Sequence, residues 1–191
     1  MNVSNYQIIL ASGSPRRQEL LGLMGIDFVK RLKPVEEIFP PEMKPEEAAR
    51  FLCEKKAMAF EDFEIAWNEL IITADTIVCL DDEILNKPEN RTHAIEMLQK
   101  LSGKKHLVIT GVAMRSRKKL KSFTVSTNVS FKKLTDEEII FYVDNFRPFD
   151  KAGAYGIQEW IGFIGITAID GSYYNVVGLP TARLYDELAN F

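Results

Sequence analysis

One aspartate stands inside the most apolar stretch of the chain: Asp75, within Ile71-Ile72-Thr73-Ala74-Asp75-Thr76-Ile77-Val78. A lone buried carboxylate is costly, so this position calls for a cation, a metal ion or a hydrogen-bond network. A carboxylate at the end of a strand can act as a general base or hold Mg2+ in phosphate chemistry, and a capped or paired structural Asp is the alternative. Two lysines are candidates for the same chemistry. Lys87, in Asn86-Lys87-Pro88, follows a turn that can fold it back beside the strand, to pair with Asp75 or with a phosphate. Lys56 can reach inward from a helix, next to a Lys55 that needs no such role. Glu36 and Glu37, in a loop bounded by prolines, offer a second carboxylate for a hydrated Mg2+, although loop acids commonly face solvent.

A second kind of chemistry is written near the N-terminus. The run Tyr6-Gln7-Ile8-Ile9-Leu10-Ala11-Ser12-Gly13-Ser14-Pro15-Arg16-Arg17 reads as a buried strand, a small flexible turn and a helix start. Ser14 suits the cap and Pro15 the first helical position. Free N–H groups and the positive end of the helix dipole collect there, where cations are normally disfavoured. Arg16 and Arg17 on that turn therefore point to an anion, most plainly a phosphate chain, with solvated arginines as the alternative. Gln158, at the end of Lys151-Ala152-Gly153-Ala154-Tyr155-Gly156-Ile157-Gln158, can read a base edge with its amide, in a stretch whose glycines permit close backbone approach. His93 and His106 have no partner pattern, and read as a helix-surface and a loop residue. No Walker loop, nucleophile elbow or zinc motif occurs.

The elements that must position these groups alternate. After the first helix, a short strand at Phe28–Leu32 runs into the loop 34–41. Pro45-Glu46-Glu47 opens a helix whose apolar residues Ala48, Phe51, Leu52 and Met58 keep a helical period. Leu70–Leu80 is the strongest strand, with Asp81-Asp82 as a turn into a short return strand. A helix over His93–Leu101 stops at Ser102-Gly103. Two antiparallel strands, Leu107–Arg115 and Ser122–Phe131, flank the basic turn 116–119. Thr135-Asp136-Glu137-Glu138 is a capping box for the helix Glu137–Asn145. The last third reads as loop, strand, Asp170-Gly171 turn, strand and a terminal helix ending near Leu188. The pattern predicts an α/β protein with a mixed twisted sheet and flanking helices.

With 191 residues, 46% hydrophobic and 27% charged, the chain has the size and make-up of a soluble globular enzyme. A net charge of −3 argues against a nucleic-acid binder. Cys53 and Cys79 read as buried small hydrophobes without disulfide or metal spacing. No signal peptide or membrane-spanning run is apparent, so no membrane partner is expected and a reducing cytoplasm is.

Taken in order, the motifs resemble one family. Ala11-Ser12-Gly13-Ser14-Pro15-Arg16-Arg17, Glu54-Lys55-Lys56-Ala57, Ala74-Asp75-Thr76, Asn86-Lys87-Pro88 and Leu101-Ser102-Gly103 are followed by the Lys151–Gln158 run. Gly171-Ser172-Tyr173 and Asn175-Val176-Val177-Gly178-Leu179-Pro180 complete the series. Together they resemble the Maf family of nucleoside triphosphate pyrophosphatases, along essentially the whole chain as a single domain.

That resemblance implies two lobes around a central cleft, as in inosine triphosphate pyrophosphatases, and hydrolysis between the α- and β-phosphates. It implies Mg2+ or Mn2+ as cofactor and, commonly, a homodimer. It places the catalytic base on Asp75 and phosphate contacts on Ser12, Arg16, Lys56 and Lys87. The metal side falls on Asp75 with Glu36 or Glu37. Arg17, Thr76 and Gln158 match the branch acting on dTTP and UTP, with modified UTP a further substrate. The implied role is clearance of non-canonical nucleotides, and the family's older name links it to septum formation. A broader purine or methylated-nucleotide pyrophosphatase and a non-catalytic nucleotide sensor are the alternatives. The bulky Glu159-Trp160-Ile161 departs from the small residues common after the glutamine.

Overall fold

The computed structural model describes residues 5–191. Its elements follow the order β1 (Gln7–Leu10), α1 (Pro15–Leu23), β2 (Phe28–Lys30), α2 (Pro45–Met58), β3 (Glu69–Leu80), β4 (Glu83–Leu85) and α3 (Arg91–Leu101). Then come β5 (Lys105–Arg115), β6 (Leu120–Phe131), α4 (Asp136–Phe146), α5 (Trp160–Gly165), β7 (Ile166–Asp170), α6 (Tyr173–Val177) and α7 (Thr181–Ala189). Single 3₁₀ turns lie at Asp62–Glu64 and Ala152–Ala154.

The strands form one seven-stranded sheet in the order β2-β1-β3-β5-β6-β7, with β4 paired to β3. The sheet is mixed. β1 runs parallel to both β2 and β3, with Ile9 opposite Val29 and Ile71. β4 and β7 are antiparallel to β3 and β6. β5 and β6 are neighbours joined by the turn 116–119, closed by Ser116 N–H donating to the Lys119 carbonyl at 2.9 Å. So short a connection joins antiparallel strands.

The chain divides into two compact units. The first takes the stretch up to Asp75, Thr110–Val125 and Gly178–Phe191. Its core includes Ile9, Phe60, Ile65 and Ile71. Helix α2 seats against β5 through Gly111, where a Cβ would lie 2.3 Å from the Ala49 carbonyl oxygen, so no larger residue fits. The second unit takes Thr76–Ile109 and Ser126–Val177. Its core packs Val78, Leu98, Leu101, Val129, Tyr142 and Ile161.

Several expectations are corrected. Tyr173–Val177 forms a short helix, not a strand, and Trp160–Gly165 is helical in a stretch read as loop and strand. His106 lies buried in β5, not in a loop. Met58, predicted on the apolar face of α2, is 55% exposed at the helix end, while Ala49 and Cys53 are buried. Ser14 occupies the N-cap of α1 with no side-chain capping bond, so Pro15 carries that helix start. Among the described residues, no helix is long and apolar enough to cross a membrane.

Candidate active site

In the first unit, β3 outruns β1. The register ends at Leu10 opposite Ile72, and Ala11 N–H still donates to the Ile72 carbonyl at 2.8 Å. Asp75 thus lies past the C-terminal end of β1, the end at which α1 begins. In open α/β sheets that end is where ligands bind. Asp75 is buried, and Thr73 before it donates from Oγ1 to the Cys53 carbonyl at 2.6 Å, tying β3 to α2. One turn along α2 from Cys53 stands Lys56.

The Lys56 ammonium pairs with Asp75 Oδ1 and donates to Glu37 Oε1 at 2.7 Å, so one cation holds two carboxylates. Its neighbour Lys55 donates to the Ile38 carbonyl at 3.1 Å. The two lysines together fasten the loop carrying Glu37 to α2. Sequence reasoning gave Lys55 no role; its partner is a backbone carbonyl, which leaves no trace in the side-chain pattern. The loop thus brings Glu37, and not Glu36, onto Lys56, although both glutamates are exposed.

At the start of α1, Ser12 is buried and Arg16 half-buried. Arg17 turns onto its own chain. Its Nε donates to the Gly178 carbonyl at 2.8 Å and its Nη1 to Ser12 Oγ at 3.3 Å, where Ser14 N–H also donates. Desolvation lowers the pKa of the guanidinium, the charges of Asp75 and Glu37 act to raise it, and Arg16 acts to lower it. Arg17 therefore lies within the electrostatic reach of the Asp75 carboxylate.

The second unit carries the remaining candidates. Thr76, the next residue of β3, is half-buried. Lys87 is exposed just after β4, beside a buried Pro88. Its loop is held by Gly153 N–H donating to the Asn86 carbonyl at 3.3 Å, which joins it to the stretch leading to Gln158. Gln158 is half-buried, and its Oε1 is buried with no hydrogen-bond donor. A buried acceptor in that state carries a desolvation penalty that a ligand donor would relieve.

The donor set also bears on metal binding. Among the described residues, no group of three or more His, Cys, Asp or Glu is placed to hold a metal alone. Glu37 and Asp75 nevertheless bring oxygens to a shared cation. Such a pair fits Mg2+ or Mn2+ in the manner usual for phosphate chemistry, with one or two carboxylates and the rest of the shell from water and substrate.

Comparison with known proteins extends this picture. The family profile described as Maf-like protein matches residues 7–191. A protein of Flavobacterium psychrophilum named dTTP/UTP pyrophosphatase is 53% identical, covering 97% of this chain and 95% of its own length. Proteins of the same name from Phocaeicola vulgatus and Bacteroides thetaiotaomicron are 52% and 50% identical, each over 98% of this chain and 97% of their own. The fold is similar to that of the Staphylococcus aureus Ham1 protein, with a TM-score of 0.51 at 19% identity, covering 95% of this chain and 99% of that one. It is also similar to a HAM1 protein from Coxiella burnetii, with a TM-score of 0.50 at 14% identity, covering 97% of this chain and 100% of that one.

Proposed function

The chain belongs to the Maf family, and we propose that it is a pyrophosphatase hydrolysing dTTP and UTP to the monophosphate and pyrophosphate. The observation that carries the reading is the shared grip of Lys56 on Asp75 and Glu37, beside the N-terminus of α1. It joins a base, a cation and an anion-binding helix end beyond the C-terminal end of β1. The names of the relatives supply the nucleotides.

In this reading Asp75 takes a proton from water as its oxygen attacks the α-phosphorus. The bond from that phosphorus to the α–β bridging oxygen breaks, and pyrophosphate departs with the electron pair. Lys56, Arg16 and Lys87 offset the charge that gathers on the leaving oxygens, while Ser12 and the N–H groups of α1 hold phosphate oxygens. Glu37 and Asp75 are the residues that would hold Mg2+ or Mn2+. That ion, when bound, would supply Lewis-acid stabilisation of phosphate charge.

Base choice rests on Arg17, Thr76 and Gln158. The orphaned Oε1 of Gln158 supports a uracil or thymine ring, whose N3–H is a donor; cytosine offers an acceptor at that position. A homodimeric cytoplasmic enzyme that removes non-standard nucleotides is the setting this reading suggests.

The test is pyrophosphate release from dTTP, UTP, CTP, GTP, ITP and 7-methyl-GTP with Mg2+ or Mn2+, for the native chain and Asp75→Asn. Release confined to dTTP and UTP, and lost in the variant, is expected. Strong purine turnover would overturn the base assignment. Nucleotide binding with no release from the native chain would make it a sensor.

A further inference from the structure

We propose that Tyr142 is the positioning residue for base selection: its hydroxyl clamps both ends of the turn that presents Gln158, with Glu159 and Lys151 completing the clamp. This inference rests on the reading above of Gln158 as the group that meets the base.

Gln158 is the third residue of a turn closed by Glu159 N–H donating to the Gly156 carbonyl at 3.0 Å. Tyr142, fully buried on α4, touches the turn at its first and last residues. Its Oη accepts from Gly156 N–H at 3.0 Å and donates to Glu159 Oε2. The other carboxylate oxygen, Oε1, is held at 3.0 Å by the buried Lys151, which also meets Asp150 Oδ1 at 2.7 Å. Burial, and then the bond to Glu159, raise the pKa of the Tyr142 hydroxyl above its ordinary value, so it stays a donor.

The turn leaves little space beside Gly156. A Cβ on Gly156 would lie 2.8 Å from Glu159 Cδ and 3.0 Å from both Gln158 Nε2 and Glu159 Oε2. The amide of Gln158 and the carboxylate of Glu159 therefore flank one glycine and share its free volume. Buried ionic networks contribute little net stability compared with apolar packing. Here the network satisfies its own atoms and fixes the backbone on either side of Gln158, whose Oε1 is left without a donor. An amide held in one place discriminates donors from acceptors; a mobile one turns over and accepts either. The bulky residue after the glutamine, a departure from the family pattern, thereby gains a physical reason, because the Glu159 carboxylate bonds Tyr142 and Lys151 and so fixes the end of the turn that carries Gln158.

The experiment measures kcat and KM for UTP, dTTP and CTP in the native chain, Tyr142→Phe, Glu159→Ala and Glu159→Gln. Tyr142→Phe should keep kcat for UTP within about twofold while the UTP-to-CTP ratio of kcat/KM falls roughly tenfold, as for a misplaced recognition group. Glu159→Ala should act alike, and Glu159→Gln, which keeps an oxygen for the Tyr142 hydroxyl, should restore most of the ratio. A melting temperature that drops while the ratio holds would mean a purely structural Tyr142 and overturn the clamp. If Tyr142→Phe fails to fold, the Ala and Gln variants at Glu159 decide by the same ratio. A native chain without dTTP or UTP turnover would fell the underlying reading and the clamp with it. A native chain that prefers UTP, with unmoved ratios in the variants, would fell the clamp alone.

Discussion

Arg17 Nε donates to the carbonyl of Gly178 at 2.8 Å, joining residues 161 positions apart in the chain. The bond ties the first helix to the segment that enters α7. Gly178 is buried, so removing the guanidinium strands an acceptor, at a cost of about 1–3 kcal/mol. For a chain of this size, Arg17→Ala should lower the melting temperature by roughly 2–10 °C, read by calorimetry without nucleotide. An unchanged melting point with an altered nucleotide profile would leave Arg17 a recognition role alone.

Lys56→Gln removes the cation shared by Asp75 and Glu37 and leaves two carboxylates facing one another. Loss of one such electrostatic group commonly costs about 10²-fold in rate, so pyrophosphate release from UTP should fall by roughly that factor. A variant within twofold of the native rate would remove Lys56 from the catalytic set.

Two glycines should respond to alanine with opposite signs. A Cβ on Gly22, in α1, meets nothing within 4 Å, so Gly22→Ala should gain about 0.5–1 kcal/mol of helix propensity and raise the melting point. At Gly111 the new carbon would meet backbone, 2.3 Å from the Ala49 oxygen and 3.0 Å from Arg50 N. Gly111→Ala should cost about 1–3 kcal/mol and, by shifting α2, also slow turnover through Lys56. Thermal melts and UTP turnover on both variants check the pair.

His106 makes stability depend on pH. It is buried in β5, its Nε2 lies 2.7 Å from Tyr155 Oη, and its ring stacks on Phe131. Desolvation lowers its pKa from 6.5 to about 4. The unfolded chain therefore takes up a proton at higher pH than the folded one. Stability is fully present above pH 6.5 and declines as pH falls toward about 4, by up to about 3 kcal/mol. Urea titrations between pH 7 and 4.5 should show this slope, and His106→Phe should flatten it.

Much of the fold was legible because periodicity and turn chemistry agree. Asp81 and Asp82 both take positive φ and turn β3 into β4, and the capping box at Thr135 opens α4 as its spacing requires. The stretch Tyr173–Val177 misleads because aromatic and β-branched residues favour strands. Its helix is set by tertiary bonds instead: Asn175 donates through Nδ2 to the Val108 carbonyl at 3.1 Å and to Thr127 Oγ1 at 3.0 Å. At the site, Asp75 announced itself as a charge among apolar neighbours. Its pairing with Lys56 was not legible, and Lys87 was the partner the sequence suggested, since no local rule links residues on different elements. Tyr142 gave no signal at all: a phenol on the apolar face of a helix reads as core.

Cys53 offers a chemical clock for the same site. It is buried on α2 with its thiol directed at the Arg50 carbonyl, 3.0 Å away, and burial pushes its pKa up to about 12. The intact protein should thus be nearly inert to alkylating reagents at Cys53, because the thiolate is the nucleophile. Modification must wait for α2 to lift. Since Lys56 sits one helical turn away, the alkylation rate, followed by mass spectrometry, reports how often the helix that carries this cation opens. Nucleotide that locks the helix down should slow the clock.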